Sequence, residues 1–136
     1  MASNGKTELR IDLTAADDTT TFSTFKDFYL GGGPYYNLHI KRGNAQLDSG
    51  YYGLSNSNGR PFSTFDVDRD NYSSRNCAVY NHGAWWYNGV GHINLNGDYV
   101  KPGSVRHTNR RAGMVYYLFQ NNWTSLKVSK MMFRPV

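Results

Sequence analysis

The apolar residues of this protein come in short alternating bursts and never at helical spacing, and that confines it to a β-rich fold. Leu9, Ile11 and Leu13 alternate with Arg10 and Asp12, the period-2 pattern of a strand with one buried face. TTFSTFKDFYL is aromatic and β-branched, and GGGP at residues 31–34 stops it. Tyr36, Leu38 and Ile40 alternate with Asn37 and His39 to predict a third strand. GMVYYLF (113–119) and SLKVSKMMF (125–133) predict two late strands, the second with Leu126 and Val128 alternating with Lys127 and Ser129. No window combines an apolar 3.6-residue period with helix caps. GLSNSNGRP (53–61) is turn chemistry, with Asn58-Gly59 favouring positive φ. From about 60 to 112 the sequence is Gly, Asn, Ser, Asp and aromatics, which predicts an ordered loop held by polar contacts, of the kind that carries function.

A length of 136 residues fits one domain. The hydrophobic content is 39%, low for a globular protein, but aromatics at 15% bring large buried areas per residue. No stretch approaches the roughly 20 apolar residues that span a bilayer. MASNGKTELR has no apolar segment resembling a signal peptide, as expected of a mature region or of an intracellular protein. The single cysteine, Cys77, excludes an internal disulfide and leaves a buried thiol or an intermolecular bridge. The formal charge is +5, and after Asp98 there is no acid while seven basic residues follow: Lys101, Arg106, Arg110, Arg111, Lys127, Lys130 and Arg134. Such a stretch is a solvated basic face or a site for an anionic partner, and nucleic acid, sulfated glycan and sialylated glycan all qualify on charge.

FDVDRDNYSSRNC (65–77) places Asp66, Asp68 and Asp70 at alternate positions. Against the EF-hand pattern, Asn71 stands where glycine is required and Cys77 where a bidentate glutamate is required, and no amphipathic helix flanks the loop. It is not an EF-hand. Carboxylates at this spacing still suit a hard cation, and spacing alone leaves a calcium site and a plain acidic turn equally open. Enzyme readings find little. His39, His82, His92 and His107 form no H-x-x-x-H or C-x-x-C pairing. Cys77 and His82 lack an orienting third group, and Glu8, the single glutamate, has no partner for paired-carboxylate chemistry. A nucleic-acid reading rests on charge and tyrosines without a recognisable module.

FSTFDVDRDNY, NCAVYNHGAWWY, NLNGDYV and SLKVSKMMFRP, in this order, resemble the C-terminal part of the fibrinogen-related domain of ficolins, tachylectins and fibrinogen globes. ELRIDL is similar to the strand opening that family's central subdomain, so the resemblance runs from about residue 8 onward. It implies an α+β, mainly β fold: a central antiparallel sheet followed by a loop-rich calcium- and ligand-binding subdomain, with 1–7 as a tail and 8–136 as one domain. It also implies one calcium ion, held by the carboxylates of Asp68 and Asp70 and carbonyls near Tyr72 and Ser74, with Asp66 outside the first coordination layer. One residue is inserted before Cys77 relative to the family.

Two departures stand out. The family's disulfide partner of Cys77 and the histidine after it are replaced by Val90 and Gly91, so Cys77 reads as the orphaned half of a lost bridge, and the family's N-terminal subdomain is absent. In acetyl-binding members the amides at those two positions, beside a cis peptide (here Gly89–Val90), donate to an acetyl oxygen within an aromatic funnel. The resemblance therefore makes Val90, Gly91, His92 and His82 candidate ligand residues, with Tyr80, Tyr87, His107 and Tyr116 as candidate walls. Trp85 and Trp86 read as core. The implied function is a non-enzymatic, secreted, calcium-dependent lectin for acetylated or sialylated glycans, in innate-immune or cell-surface recognition, with a homo-oligomer supplying avidity. The alternative is a structural or adhesive protein-interaction module that has lost sugar binding. Asn71-Tyr72-Ser73 and Asn122-Trp123-Thr124 match the glycosylation acceptor pattern.

Overall fold

The computed structural model describes residues 7–89 and 91–136. β1 (Thr7–Thr14) turns its alternation into a buried face of Leu9, Ile11 and Leu13. It pairs antiparallel on one edge with β2 (Thr20–Lys26) and on the other with β7 (Val128–Pro135), which makes β1 the centre of a three-stranded sheet in the order β2-β1-β7. Leu9 lies opposite both Phe25 and Phe133, so three apolar side chains share one face. Asp18, at φ 69°, closes the turn between β1 and β2, where the Thr19 amide donates to Asp17 Oδ1 at 3.0 Å. Among the described residues β7 is an open edge, with Met131 and Phe133 on the core side of the sheet yet 37% and 54% exposed. β1 begins at Thr7, within the stretch expected to be tail, and Thr7 is buried with its hydroxyl donating to the Phe28 carbonyl.

The remaining regular elements are small. β3 (Tyr29–Leu30) and β4 (Leu38–His39) form a two-residue ladder in which Tyr29 stacks on His39 at 4.2 Å, shorter than the strand expected around Leu38. β5 (Ile93–Asn94) pairs with β6 (Val115–Tyr116). The expected strand over 113–119 stops at Tyr116 and gives way to a helical turn, α2 (Tyr117–Gln120). β5 offers only two residues of ladder; beyond it the Tyr117 amide takes the His92 carbonyl at 3.0 Å and the backbone winds into the turn, ending at Asn121 in the left-handed region at φ 55°. The other helix, α1 (Cys77–Tyr80), begins at Asn76, whose Oδ1 accepts from the amides of Ala78 at 2.9 Å and Val79 at 3.2 Å.

The sheet's buried face joins one core with Leu47, Leu54, Trp85, Tyr87 and Tyr116. Each such side chain contributes about 1.5–3 kcal/mol on burial, which offsets the modest apolar content. Asn94 acts as a polar rivet inside this core. Its Nδ2 donates to the carbonyls of Asn81 at 2.6 Å and Arg111 at 2.8 Å, and its Oδ1 accepts from the Tyr87 hydroxyl at 2.9 Å. Three loops that share no secondary structure are thereby held in register, as buried polar groups require.

Candidate functional site

The acidic loop is closed by its own carboxylates. Asp70 accepts from the amides of Tyr72 and Cys77, each at 2.8 Å, through its two oxygens, and its own amide donates to Asp68 Oδ1 at 3.3 Å. Loss of hydration first, and the facing Asp70 carboxyl second, raise the pKa of Asp68. Asp66 is turned away and accepts from the Thr64 hydroxyl at 2.6 Å. Among the described residues no group of three or more His, Cys, Asp or Glu converges. The donors suit calcium in type, because they are oxygens only and carry two negative charges, but half of the ligands would have to be main-chain carbonyls such as those of Tyr72 and Ser74.

The same loop is tied to the peptide that follows Trp85-Trp86-Tyr87. The Cys77 thiol is buried and donates to the Gly89 carbonyl at 3.2 Å, while the Gly89 amide donates to Asn71 Oδ1 at 2.7 Å. Burial first, then the charges of Asp70 and Asp68, push the Cys77 pKa up to about 12, which leaves it an unreactive thiol at neutral pH. Asn71 Nδ2 donates to Asn88 Oδ1 at 2.8 Å, so the side-chain amide of this acceptor motif is engaged on both atoms. Val90 and the Gly89–Val90 bond lie outside the described residues. Gly91 follows in the left-handed region at φ 86°, with its carbonyl accepting from Arg111 Nε at 3.3 Å.

Around Gly91 the fold builds an aromatic cluster. His92 packs edge-on against Tyr51 at 4.9 Å and Tyr52 at 4.5 Å and stacks on Trp123 at 5.7 Å, and Tyr52 stacks on Tyr117 at 4.8 Å. The turn carrying Tyr51 and Tyr52 is anchored by the buried Asp48, which accepts from Gly43 N at 2.7 Å, from Ser55 N at 2.8 Å and from the Ser55 hydroxyl. A slot of about 20 Å³ between Tyr51, Tyr52, Tyr87, Gly91 and His92 has room for one methyl-sized group. Burial, and then the Arg111 charge, lower the His92 pKa to about 4, so the ring is neutral at pH 7.

Arg111 links this slot to a second, wider cleft. Asn109 accepts from the Arg111 amide at 3.1 Å through Oδ1 and donates through Nδ2 to the Tyr80 carbonyl, which fastens the turn at Arg110–Ala112 to the end of α1. The cleft between Tyr80, Arg106, His107, Arg110 and Arg111 measures about 360 Å³. Of the expected ligand residues, Gly91 and His92 therefore meet at the slot, and Tyr80 and His107 meet at the cleft.

Two expected ligand residues lie elsewhere. Tyr116 is 2% exposed and its hydroxyl donates to the Leu47 carbonyl, so it is core, and its neighbour Tyr117 is the residue that reaches the cluster. His82, in the left-handed region at φ 54° after α1, has Nδ1 2.7 Å from Asp98 Oδ2, which Arg106 also contacts at 2.7 Å. It faces an apolar groove with Phe65 and Val79 rather than the slot. Tyr51, Tyr52, Tyr117, Trp123 and Arg75 are the residues that sequence reasoning missed. The Tyr51-Tyr52 pair within an otherwise polar turn was the one local signal of them.

Comparison with known proteins places this geometry. The family profile of the fibrinogen beta and gamma chains, C-terminal globular domain, matches residues 1–136. Ficolin-3 of Homo sapiens is 39% identical over 106 residues, covering 76% of this protein and 34% of that one. The solved fibrinogen-like globe domain of human ANGPTL6 superposes with a TM-score of 0.84 at 32% identity, covering 98% of this protein and 58% of the globe. The lamprey fibrin D-dimer, complexed with the peptide ligand Gly-His-Arg-Pro-amide, superposes with a TM-score of 0.81 at 27% identity, covering 96% of this protein and 46% of that one. The sequence thus spans about a third of ficolin-3 and about half of the solved relatives.

Proposed function

Because the protein belongs to the family of C-terminal globular domains found in the fibrinogen beta and gamma chains, we propose that it is a secreted lectin that takes acetylated or sialylated sugars in a calcium-dependent manner. Family membership places it among non-enzymatic binding domains. The observation that carries the reading is the direct link between the acidic loop and Gly89, two positions before Gly91. Asp70 holds the Cys77 amide at 2.8 Å, the Cys77 thiol holds the Gly89 carbonyl at 3.2 Å, and Asn71 holds the Gly89 amide at 2.7 Å. A cation on Asp68 and Asp70, with carbonyls of Tyr72 and Ser74, would stiffen that loop and with it the backbone that meets the acetyl oxygen. Since the Gly89 amide is already used, the donors for that oxygen fall to Val90 and Gly91. The methyl would enter the slot beside His92.

One acetamido group brings a single methyl and a single strong acceptor, so each site binds weakly and avidity requires several copies. The test is calorimetric titration with N-acetylglucosamine and with N-acetylneuraminic acid, in calcium and in EDTA. Saturable binding that EDTA abolishes supports the reading; no saturable binding to either sugar overturns it. A second reading, a protein-interaction module, draws on the apolar groove between Phe65, Val79 and His82 beside the acidic loop, and on the peptide ligand of the lamprey fibrin structure. Peptide capture without sugar binding would favour it.

A further inference from the structure

Among the described residues the ion pairs leave one cluster of cations without a carboxylate. Arg10, Lys41, Arg106, Lys127 and Arg134 each hold an acidic partner. Arg75, Arg110 and Arg111 do not; each lies instead against an aromatic face. Arg75 sits 3.9 Å over Tyr80, and Arg110 and Arg111 sit 5.1 Å and 4.5 Å from the Trp123 centroid. A guanidinium that stacks uses its flat face and keeps its in-plane N–H donors for an oxyanion; in Arg111 these are the terminal N–H groups, since Nε holds the Gly91 carbonyl at 3.3 Å. Arg110 and Arg111 share the Trp123 ring, and Arg75 joins them through Tyr80, which lines the same cleft; after burial, the charges of Arg110 and Arg75 lower the Arg111 pKa. Arg110 and Arg111 wall the cleft beside Tyr80, and its Arg106 wall contributes a buried Nε with no partner among the described residues.

We infer that Arg75, Arg110 and Arg111 around Tyr80 form a binding site for the sulfate esters of a sulfated glycan. A single carboxylate would neutralise one of three clustered cations, whereas sulfates on successive sugars meet several, each through charge-assisted N–H···O bonds. Nucleic acid offers comparable charge, but it would look for open aromatic faces on which to stack its bases, and here guanidiniums cover a face of Tyr80 and of Trp123. The site lies beside the acetyl slot, to which Arg111 connects it through the Gly91 carbonyl, and stands whether or not that slot takes a sugar.

The experiment titrates the protein with a heparin hexasaccharide, its fully desulfated counterpart and a thymidine oligonucleotide of equal charge. Arg75→Gln and Arg110→Gln change exposed residues, and unchanged melting curves confirm that they fold. Each should weaken hexasaccharide binding about tenfold and lower the log–log salt slope by about one. Lys130→Gln, on the distant sheet, should leave affinity within about twofold. Equal binding of the desulfated sugar, an equal loss in Lys130→Gln, or tighter binding of the oligonucleotide overturns the inference. Titration of the two arginine variants with N-acetylglucosamine keeps the two readings apart. Acetyl-sugar binding retained while hexasaccharide binding is lost supports a separate site, and hexasaccharide binding by a protein that ignores N-acetylglucosamine supports the sulfate site while removing the acetyl reading.

Discussion

His92 offers a test of the cluster that needs no ligand. The ring is packed by Tyr51, Tyr52 and Trp123 and faces the Arg111 charge, which together lower its pKa from an ordinary 6.5 to about 4. Between these values the unfolded protein binds a proton that the folded one refuses, so stability is complete above about pH 6.5 and falls as pH drops toward 4. Taking both pKa values at face value, the loss between about pH 7 and pH 4.5 is about 2.4 kcal/mol. The ring is only partly buried, and solvent screening brings the expected figure to about 1–2 kcal/mol. Urea unfolding of the parent and of His92→Gln at both pH values isolates this one group, because every other titrating residue is common to the two. The parent should lose about 1–2 kcal/mol more than the variant over that interval. Parallel pH profiles would show that His92 is solvated and the cluster open, and a steeper profile for the variant would reverse the sign of the argument.

Chelation should lower the melting temperature of a calcium-loaded sample, and Asp68→Ala should match the chelated parent, because a ligand bound only by the folded state stabilises by mass action. Asp70→Ala should cost roughly a further 1–3 kcal/mol even in EDTA, since it also strips the Tyr72 and Cys77 amides of their acceptor; equal melting curves for the two variants in EDTA would contradict this. Cys77 should react with a thiol reagent slowly in the native state and rapidly in denaturant, and rapid native labelling would show that it is not buried behind Gly89. Tyr116→Phe leaves the buried Leu47 carbonyl without its donor, so urea unfolding should report a loss of about 1–3 kcal/mol while sugar affinity stays constant; reduced affinity at unchanged stability would return Tyr116 to the site.

Strands with one buried face could be read from the sequence, and the places where reading failed have a common cause. β1 carries period-2 alternation along its length because both of its edges are paired, whereas β2 was legible by its β-branched and aromatic composition. β7 departs from its expected alternation: Val128 is 38% exposed and faces away from Met131 and Phe133. GMVYYLF looked like a strand by composition, but its ladder partner, β5, is two residues long, so pattern could not decide between the buried Tyr116 and the clustered Tyr117. The acidic loop was legible as a motif because its carboxylates are close together in sequence. The arginine–aromatic cluster was not, since Arg75, His92, Arg111 and Trp123 come from segments that no regular element connects, and side-chain hydrogen bonds of Asn94 and Asn109 bring them together. Buried asparagines of this kind look in a sequence like any other loop asparagine.

The pairing of β1 with β7 sets Thr7 opposite Pro135, which has consequences for how the protein reaches its fold. During synthesis β1 and β2 leave the ribosome together and can close as a hairpin at once, but the other edge of β1 waits for residues made more than a hundred positions later. For that interval Leu9, Ile11 and Leu13 belong to an incomplete sheet, and the loops that carry the acidic motif and the arginines emerge before there is a finished core to pack against. Folding of this protein is therefore a late event that depends on its last strand, and a nascent polypeptide stalled short of Val128 would be a client for chaperones rather than a smaller binding domain.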